Sequence, residues 1–166
     1  MYTPDELGKL ADVAIEKNLL VVSDEIYERL TYGDNQFASF ATVRPGMQDR
    51  AILVNGVSKA YALTGWRIGW TLSPANIATA MADLQSQETS NPCSISQYAA
   101  VAALNGPQEC VDEMLVEFAK RRHTRCVPIF ASECLGQFSI IPRRKVVVRP
   151  VWIFLQRSLD EIATIV

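Results

Sequence analysis

Four side chains of this sequence have the types and spacing needed for chemistry on an aldehyde-bearing cofactor. Lys59 offers a primary amine and Arg67, shortly after it, a guanidinium, while Asp24 and Tyr27 stand upstream with a carboxylate and a phenol. An amine can condense with an aldehyde, and a guanidinium is a planar fork of donors suited to phosphate. Together the four groups are those needed to hold and use pyridoxal 5'-phosphate (PLP).

Each of these residues also has a plainer interpretation. A loop lysine such as Lys59 is usually a solvated charge, and Asp24 could simply cap a turn. Tyr27 could pack with its hydroxyl at the surface, and Arg67 could form a structural ion pair. Ser58 could add a hydroxyl to a phosphate site or bond only to the backbone. The joint pattern therefore carries the hypothesis, since no single residue is specific.

The elements that must position these groups can be read from capping and hydrophobic patterns. A capping box at residues 3–6, with proline at the first helical position, predicts a helix to about Lys17. Short apolar runs at 19–22, 51–54 and 68–72 are typical of buried strands. Further helices are predicted at about 74–87, 94–105 and 107–122. Leu7, Leu10, Ala11 and Ala14 are expected to share one face of the first helix.

This alternation of helix and buried strand predicts an α/β fold with a mostly parallel sheet. Asp24 and Lys59 each follow a predicted strand, and ligands of open α/β sheets bind beyond the carboxyl ends of the strands. Trp66 and Trp70 are expected to anchor the core. The pattern supports one domain over residues 1–125, whereas residues 126–166 have weak periodicity and form a divergent, irregular C-terminal segment.

Composition and charge exclude several classes of function. The chain is 49% hydrophobic and has a formal net charge of -2, so nothing favours nucleic acid or an anionic membrane as a partner. No secretory signal or membrane-spanning run is found, and a cytoplasmic location is expected. The four cysteines lack Cys-x-x-Cys spacing and His123 is the single histidine, which argues against zinc. We expect reduced, mostly buried thiols at Cys93, Cys110, Cys126 and Cys134.

Two long motifs resemble the class I aminotransferases, PLP enzymes of fold type I, and most closely the bacterial-type aspartate aminotransferases. These motifs are residues 22–28 (VSDEIYE) and 54–69 (VNGVSKAYALTGWRIG). Residues 89–92 (TSNP) and 97–100 (QYAA) are similar to the next segment of that family. The resemblance implies that residues 1–125 are part of the PLP-binding large domain and that the full-length family forms homodimers.

The resemblance also implies a role for each matching residue. Lys59 would form the Schiff base with PLP and then shuttle a proton, and Asp24 would pair with the pyridine nitrogen. Tyr27 would bond to the 3-oxygen of the ring, and Arg67 with Ser58 would bind the phosphate. The implied reaction passes an amino group from an amino acid to a 2-oxo acid, with aspartate and 2-oxoglutarate as the default pair.

Other parts of the family pattern have no counterpart here. The glycine-rich phosphate loop, the aromatic residue stacked on the ring and an asparagine near the 3-oxygen are expected upstream of this sequence. After about Arg125 the family pattern is lost, and a reading-frame change or a divergent end is the hypothesis for that loss. Two alternatives stay open: a different reaction on the same cofactor, or an inactive truncated remnant or interaction module that retains the fold.

Overall fold

The computed structural model of the chain describes residues 1–125 and 138–140. The described helices are α1 (Pro4–Glu16), α2 (Ala75–Glu88), α3 (Ser94–Asn105) and α4 (Glu109–Arg125). The described strands are β1 (Val21–Asp24), β2 (Ala51–Gly56), β3 (Gly69–Leu72) and β4 (Phe138–Ile140). The α/β class predicted from the sequence is confirmed.

The four described strands form one sheet in the order β3-β2-β1-β4, and the sheet is mixed. Strands β1 and β2 are parallel, with Asp24 opposite Val54, whereas the pairs β2–β3 and β1–β4 are antiparallel. The expectation of a mostly parallel sheet is thus corrected for the described strands. Residues 57–68 contain only a 3₁₀ turn and no helix that could carry the chain back along the sheet, so β3 returns antiparallel.

Helix α1 begins where the capping box predicts. The Glu6 carboxylate accepts a hydrogen bond from the Thr3 backbone N–H at 2.7 Å, and the Thr3 hydroxyl oxygen accepts one from the Glu6 N–H at 3.3 Å. Both bonds satisfy amides that have no partner inside the helix. Of the four residues predicted to share one face, Leu10 is 37% exposed and lies at the edge of the buried surface. The buried residues of the helix are Leu7, Gly8, Ala11 and Ala14.

Two clusters of buried apolar side chains hold the fold together. The larger one packs α1 against β1 and β2 and includes Phe40 and Met47 from the connection between those strands. The smaller one joins Val57 and Ile68, at the two ends of the loop after β2, to Ala100 of α3. Both ends of that loop are therefore fixed to the body of the domain by burial of apolar surface.

Some expectations about single residues are wrong. Trp66 is 43% exposed and does not anchor the core, while Trp70 packs, partly buried, against the smaller cluster. Cys93 and Cys110 are exposed rather than buried. The other two cysteines, and residues 126–166 apart from β4, lie outside the described residues, so the prediction of an irregular C-terminal segment stays a prediction.

Across the described part of the chain, no helix has both the length and the apolar character that crossing a bilayer requires.

Candidate active site

The ends of two neighbouring strands create the site. Asp24 is the last residue of β1, and Lys59 follows closely after Gly56, the last residue of β2. Because β1 and β2 are parallel neighbours, their carboxyl ends lie at the same edge of the sheet. The strand pairing therefore brings an acid and an amine together from distant parts of the sequence.

A cavity of about 860 Å³ lies at this edge. Four of the five predicted site residues line it: Asp24, Tyr27, Ser58 and Lys59. The remainder of the wall is rich in apolar and aromatic side chains from the β1–β2 connection and from α4, among them Leu30, Phe37, Phe40, Met114 and Phe118. The cavity thus presents a few polar groups against an apolar wall, the usual character of a cofactor or ligand site.

The half-buried Lys59 lies over the ring of Tyr27. Its Nζ atom is 5.5 Å from the ring centroid, within the distance of about 6 Å at which cation–π attraction acts. The Tyr27 side chain is 58% exposed, so it is a wall of the open cavity and not part of the core. The amine and the phenol predicted to act together are therefore direct neighbours.

The Asp24 carboxylate is exposed and takes part in a local turn. Its Oδ1 atom accepts a hydrogen bond from the Ile26 N–H at 3.1 Å, an arrangement that orients the carboxylate with respect to its own backbone. The plainer interpretation of Asp24 as a turn cap is therefore realised. The Oδ2 atom accepts no hydrogen bond from the described residues, which leaves it able to receive a donor in the cavity.

Arg67 is the predicted site residue that does not line the cavity. Its backbone is left-handed, with φ of 57°, and its Nη1 atom donates a hydrogen bond to the Thr64 carbonyl oxygen at 2.9 Å. The Thr64 side chain does line the cavity, and its hydroxyl donates to the Ser58 carbonyl oxygen at 3.0 Å. Arg67 is thus connected to the cavity rim through Thr64.

Glu25 is a cavity residue that the sequence reasoning missed. Only 8% of it is exposed, and its Oε1 atom accepts hydrogen bonds from the Ser23 and Ser39 hydroxyls and the Phe40 N–H. Burial raises the pKa of Glu25 above its ordinary value, although these hydrogen bonds oppose that shift. The sequence does place a second carboxylate, that of Glu25, at the end of a strand, and this could have marked it as a candidate. Nothing in the sequence indicates that residues 39 and 40 donate hydrogen bonds to it.

A hydrogen bond that was not expected from the sequence holds the loop that carries Lys59. The Tyr61 hydroxyl donates to Gln108 Oε1 at 2.8 Å, and the Gln108 amide donates in turn to the Ala103 and Gly106 carbonyl oxygens. Gln108 therefore satisfies carbonyls at the end of α3 and also fixes the loop that carries Lys59. Such a contact cannot be read from local patterns, because its two partners come from separate elements.

Comparison with known proteins gives a consistent result. Residues 1–148 match the family model described as "Aminotransferase class I and II". The chain is 42% identical over 151 residues to the aspartate aminotransferase of Bacillus subtilis, covering 87% of this chain and 38% of that protein. It is 47% identical over 122 residues to the aspartate/prephenate aminotransferase of Cereibacter sphaeroides, covering 73% of this chain and 30% of that protein.

Solved structures of aminotransferases are also similar to this chain. The crystal structure of the aspartate aminotransferase from Rhizobium meliloti superposes with a TM-score of 0.72 at 43% identity, covering 74% of this chain and 31% of that one. An aromatic aminotransferase from Pyrococcus horikoshii gives a TM-score of 0.72 at 38% identity, covering 75% and 34%. The chain thus spans roughly a third of the length of these relatives. The family match continues past residue 125, and the predicted division there stays a prediction.

Proposed function

Since the chain belongs to the family of class I and II aminotransferases, we propose that it contributes the cofactor-binding part of a PLP-dependent, aspartate-type aminotransferase. The enzyme would transfer an amino group from an amino acid to a 2-oxo acid. One observation carries this proposal: Lys59 and Asp24 line the same cavity, together with Tyr27 and Ser58. We therefore expect a single aromatic ligand, with an aldehyde at one end and a basic nitrogen at the other, to contact both residues.

The residues at the cavity fit PLP by their chemistry. Enzymes of this type use PLP, which supplies an electron-poor ring that stabilises negative charge at a substrate carbon. The Asp24 carboxylate has an oxygen available to pair with the protonated ring nitrogen. Lys59 has the amine that condenses with the aldehyde, and the Ser58 hydroxyl suits a phosphate oxygen. Arg67 would add its guanidinium to that phosphate by exchanging its bond to the Thr64 carbonyl.

Each of the cavity residues would then have a distinct role in the reaction. The Lys59 Nζ atom would take a proton from the substrate's α-carbon and deliver it to the C4' carbon of the cofactor, as a general base and then a general acid. The Tyr27 phenol would donate to the ring 3-oxygen and orient the ring toward the amine. Apolar side chains such as Phe37, Phe40 and Phe118 would exclude water, which strengthens the electrostatic contacts inside.

Covalent capture tests the assignment of Lys59. Purified chain is mixed with PLP and reduced with borohydride, and the modified lysine is mapped by peptide mass spectrometry. The proposal predicts an adduct at Lys59 that is lost in Lys59→Ala. Lys17→Ala is the matched control, because Lys17 is an exposed lysine outside the cavity, and it should capture PLP like the unchanged chain. Labelling spread over surface lysines, or none at Lys59, would overturn the assignment.

The substrate is proposed from the names of the relatives. Aspartate is the proposed amino donor, with aromatic amino acids as the second choice. The proposed acceptor, 2-oxoglutarate, is the one that the resemblance to the aspartate aminotransferases implies. Nitrogen-15-labelled aspartate should yield labelled glutamate, and the absence of any 2-oxo acid product would exclude transamination. A homodimer and a cytoplasmic location are likewise proposals, and light scattering at several concentrations tests the first.

A further inference from the structure

Among the described residues, Glu25 is the one charged side chain that is buried. It directly follows Asp24 in the sequence. Its Oε1 atom accepts three hydrogen bonds, from the Phe40 N–H at 2.9 Å and from the Ser23 and Ser39 hydroxyls at 3.2 Å each. Ser23 belongs to β1, whereas residues 39 and 40 lie in the connection to β2. One oxygen therefore ties two separate segments together at the wall of the cavity.

The backbone around Glu25 is fixed as well. The Glu25 N–H donates to the Val54 carbonyl oxygen of β2 at 2.8 Å, and its own carbonyl accepts from the Glu28 N–H at 3.0 Å. Asp24 and Ile26, on either side, are joined by the hydrogen bond that orients the Asp24 carboxylate. The position of Glu25 therefore determines the turn of residues 24–30, which presents both Asp24 and Tyr27.

We propose that Glu25 is a positioning residue, whose carboxylate holds residues 24–30 against Ser39 and Phe40 so that Asp24 and Tyr27 face Lys59. This inference rests on the proposed PLP site and adds to it a residue that acts through its neighbours. Glu25 itself need not touch the cofactor. Its carboxylate oxygen is already occupied by three donors, which suits a structural acceptor better than a reacting acid.

Substitutions of Glu25 can distinguish the proposed positioning role of its carboxylate from simple packing of its side chain. Glu25→Leu keeps the bulk but removes the acceptor of three donors, one of which is the backbone N–H of the buried Phe40. Loss of an acceptor for a buried donor shifts an equilibrium by about tenfold or more. Glu25→Gln retains an acceptor oxygen in the same place and should rescue the function.

The first readout is the PLP concentration that gives half-maximal capture at Lys59. We expect Glu25→Leu to raise it by about tenfold and Ser39→Ala, which removes one donor, by about fivefold. Glu25→Gln should stay within about twofold of the unchanged chain. Arg29→Gln is the matched control, because Arg29 is an exposed residue of the same turn that does not line the cavity. It should behave like the unchanged chain.

The second readout uses the chain without cofactor. Amide hydrogen exchange followed by NMR should quicken at Phe40 and Ile26 in Glu25→Leu, while amides of α1 keep their protection. If the unchanged chain fails to capture PLP, the proposed function fails, yet the exchange data still test the positioning role. Unchanged exchange at Ile26 in Glu25→Leu would overturn the inference. So would unchanged PLP capture in folded Ser39→Ala, which covers the case in which Glu25→Leu does not fold.

Discussion

The two segments that carry the candidate site are held in different ways. We call residues 24–30, which bear Asp24 and Tyr27, the acid turn, and residues 57–68, which bear Lys59, the lysine loop. The acid turn is fixed by a buried carboxylate, Glu25, that accepts three hydrogen bonds. The lysine loop is fixed at both ends by apolar side chains packed against α3.

The lysine loop also has an unusual backbone. Two of its residues that are not glycine, Ala62 and Arg67, have left-handed φ angles of 53° and 57°. Such residues are uncommon and persist where the surrounding structure determines them. The acid turn therefore depends on a buried polar contact and on ionisation, whereas the lysine loop depends mainly on close packing, with one polar contact from Tyr61 to Gln108.

Gly56→Ala should have the largest effect on the lysine loop. A Cβ atom there would lie 2.8 Å from the Ile68 carbonyl oxygen and 3.0 Å from Gly69 Cα, and neither backbone atom can move cheaply. We expect a loss of about 1–3 kcal/mol in the free energy of unfolding, measured by urea titration. Gly65→Ala is the control, since nothing lies within 4 Å of its added Cβ. Equal effects of the two changes would contradict dependence on packing.

Breaking the hydrogen bond between Tyr61 and Gln108 should have a smaller effect. Tyr61→Phe should cost about 1 kcal/mol of unfolding free energy, because a single partly buried hydrogen bond is lost. Gln108→Leu should cost more, because it also removes the donor to the Ala103 and Gly106 carbonyl oxygens. A double-mutant cycle isolates the contact, since the double variant should lose less than the sum of the two single losses. Strict additivity would show that the bond does not support the loop.

The acid turn should respond to pH through Glu25. Burial raises its pKa in the folded chain above the ordinary value of 4.5, so the folded state binds the proton more tightly than the unfolded state. The stabilising contribution is therefore present below about pH 4.5 and is lost as the pH rises through the folded-state pKa. Unfolding titrations of Glu25→Gln should lack this loss. An identical pH dependence in the two proteins would rule out Glu25 as its source.

Thr64→Val should have the smallest effect. The Thr64 hydroxyl donates to the Ser58 carbonyl oxygen at an exposed position, where water can replace it. We expect a change within about 0.5 kcal/mol in the free energy of unfolding, by the same urea titration. A loss well above that would mean that the lysine loop relies on polar contacts beyond the one from Tyr61 to Gln108, and the distinction between the two segments would weaken.

Local signals in the sequence were enough to predict most of the fold. The start of α1 followed from the capping box of Thr3 and Glu6, whose hydrogen bonds are both present. The start of strand β1 was predicted two residues too early, because it depends on the pairing of Val21 with Ala51 and not on apolar character alone. The direction of β3 was also missed, since it is set by the geometry of the lysine loop and leaves no periodic pattern.

The candidate site was predictable to the extent that it lies at strand ends. Asp24 and Lys59 meet in one cavity because each follows a buried strand, and those strands are parallel neighbours. The partners of Glu25 were not predictable, because residues 39 and 40 lie in an irregular connection. The direction of Arg67 depends on its left-handed backbone, which its sequence neighbours do not signal.

The protonation state of the bound cofactor's ring nitrogen shows whether Asp24 and Lys59 hold the same ligand. PLP labelled with nitrogen-15 in the ring is added to the unchanged chain and to Asp24→Ala, and the NMR shift of that nitrogen is compared in both. The account predicts a protonated nitrogen in the unchanged chain at neutral pH and an unprotonated one in Asp24→Ala. The same shift in both proteins would show that Asp24 does not meet the ligand held by Lys59.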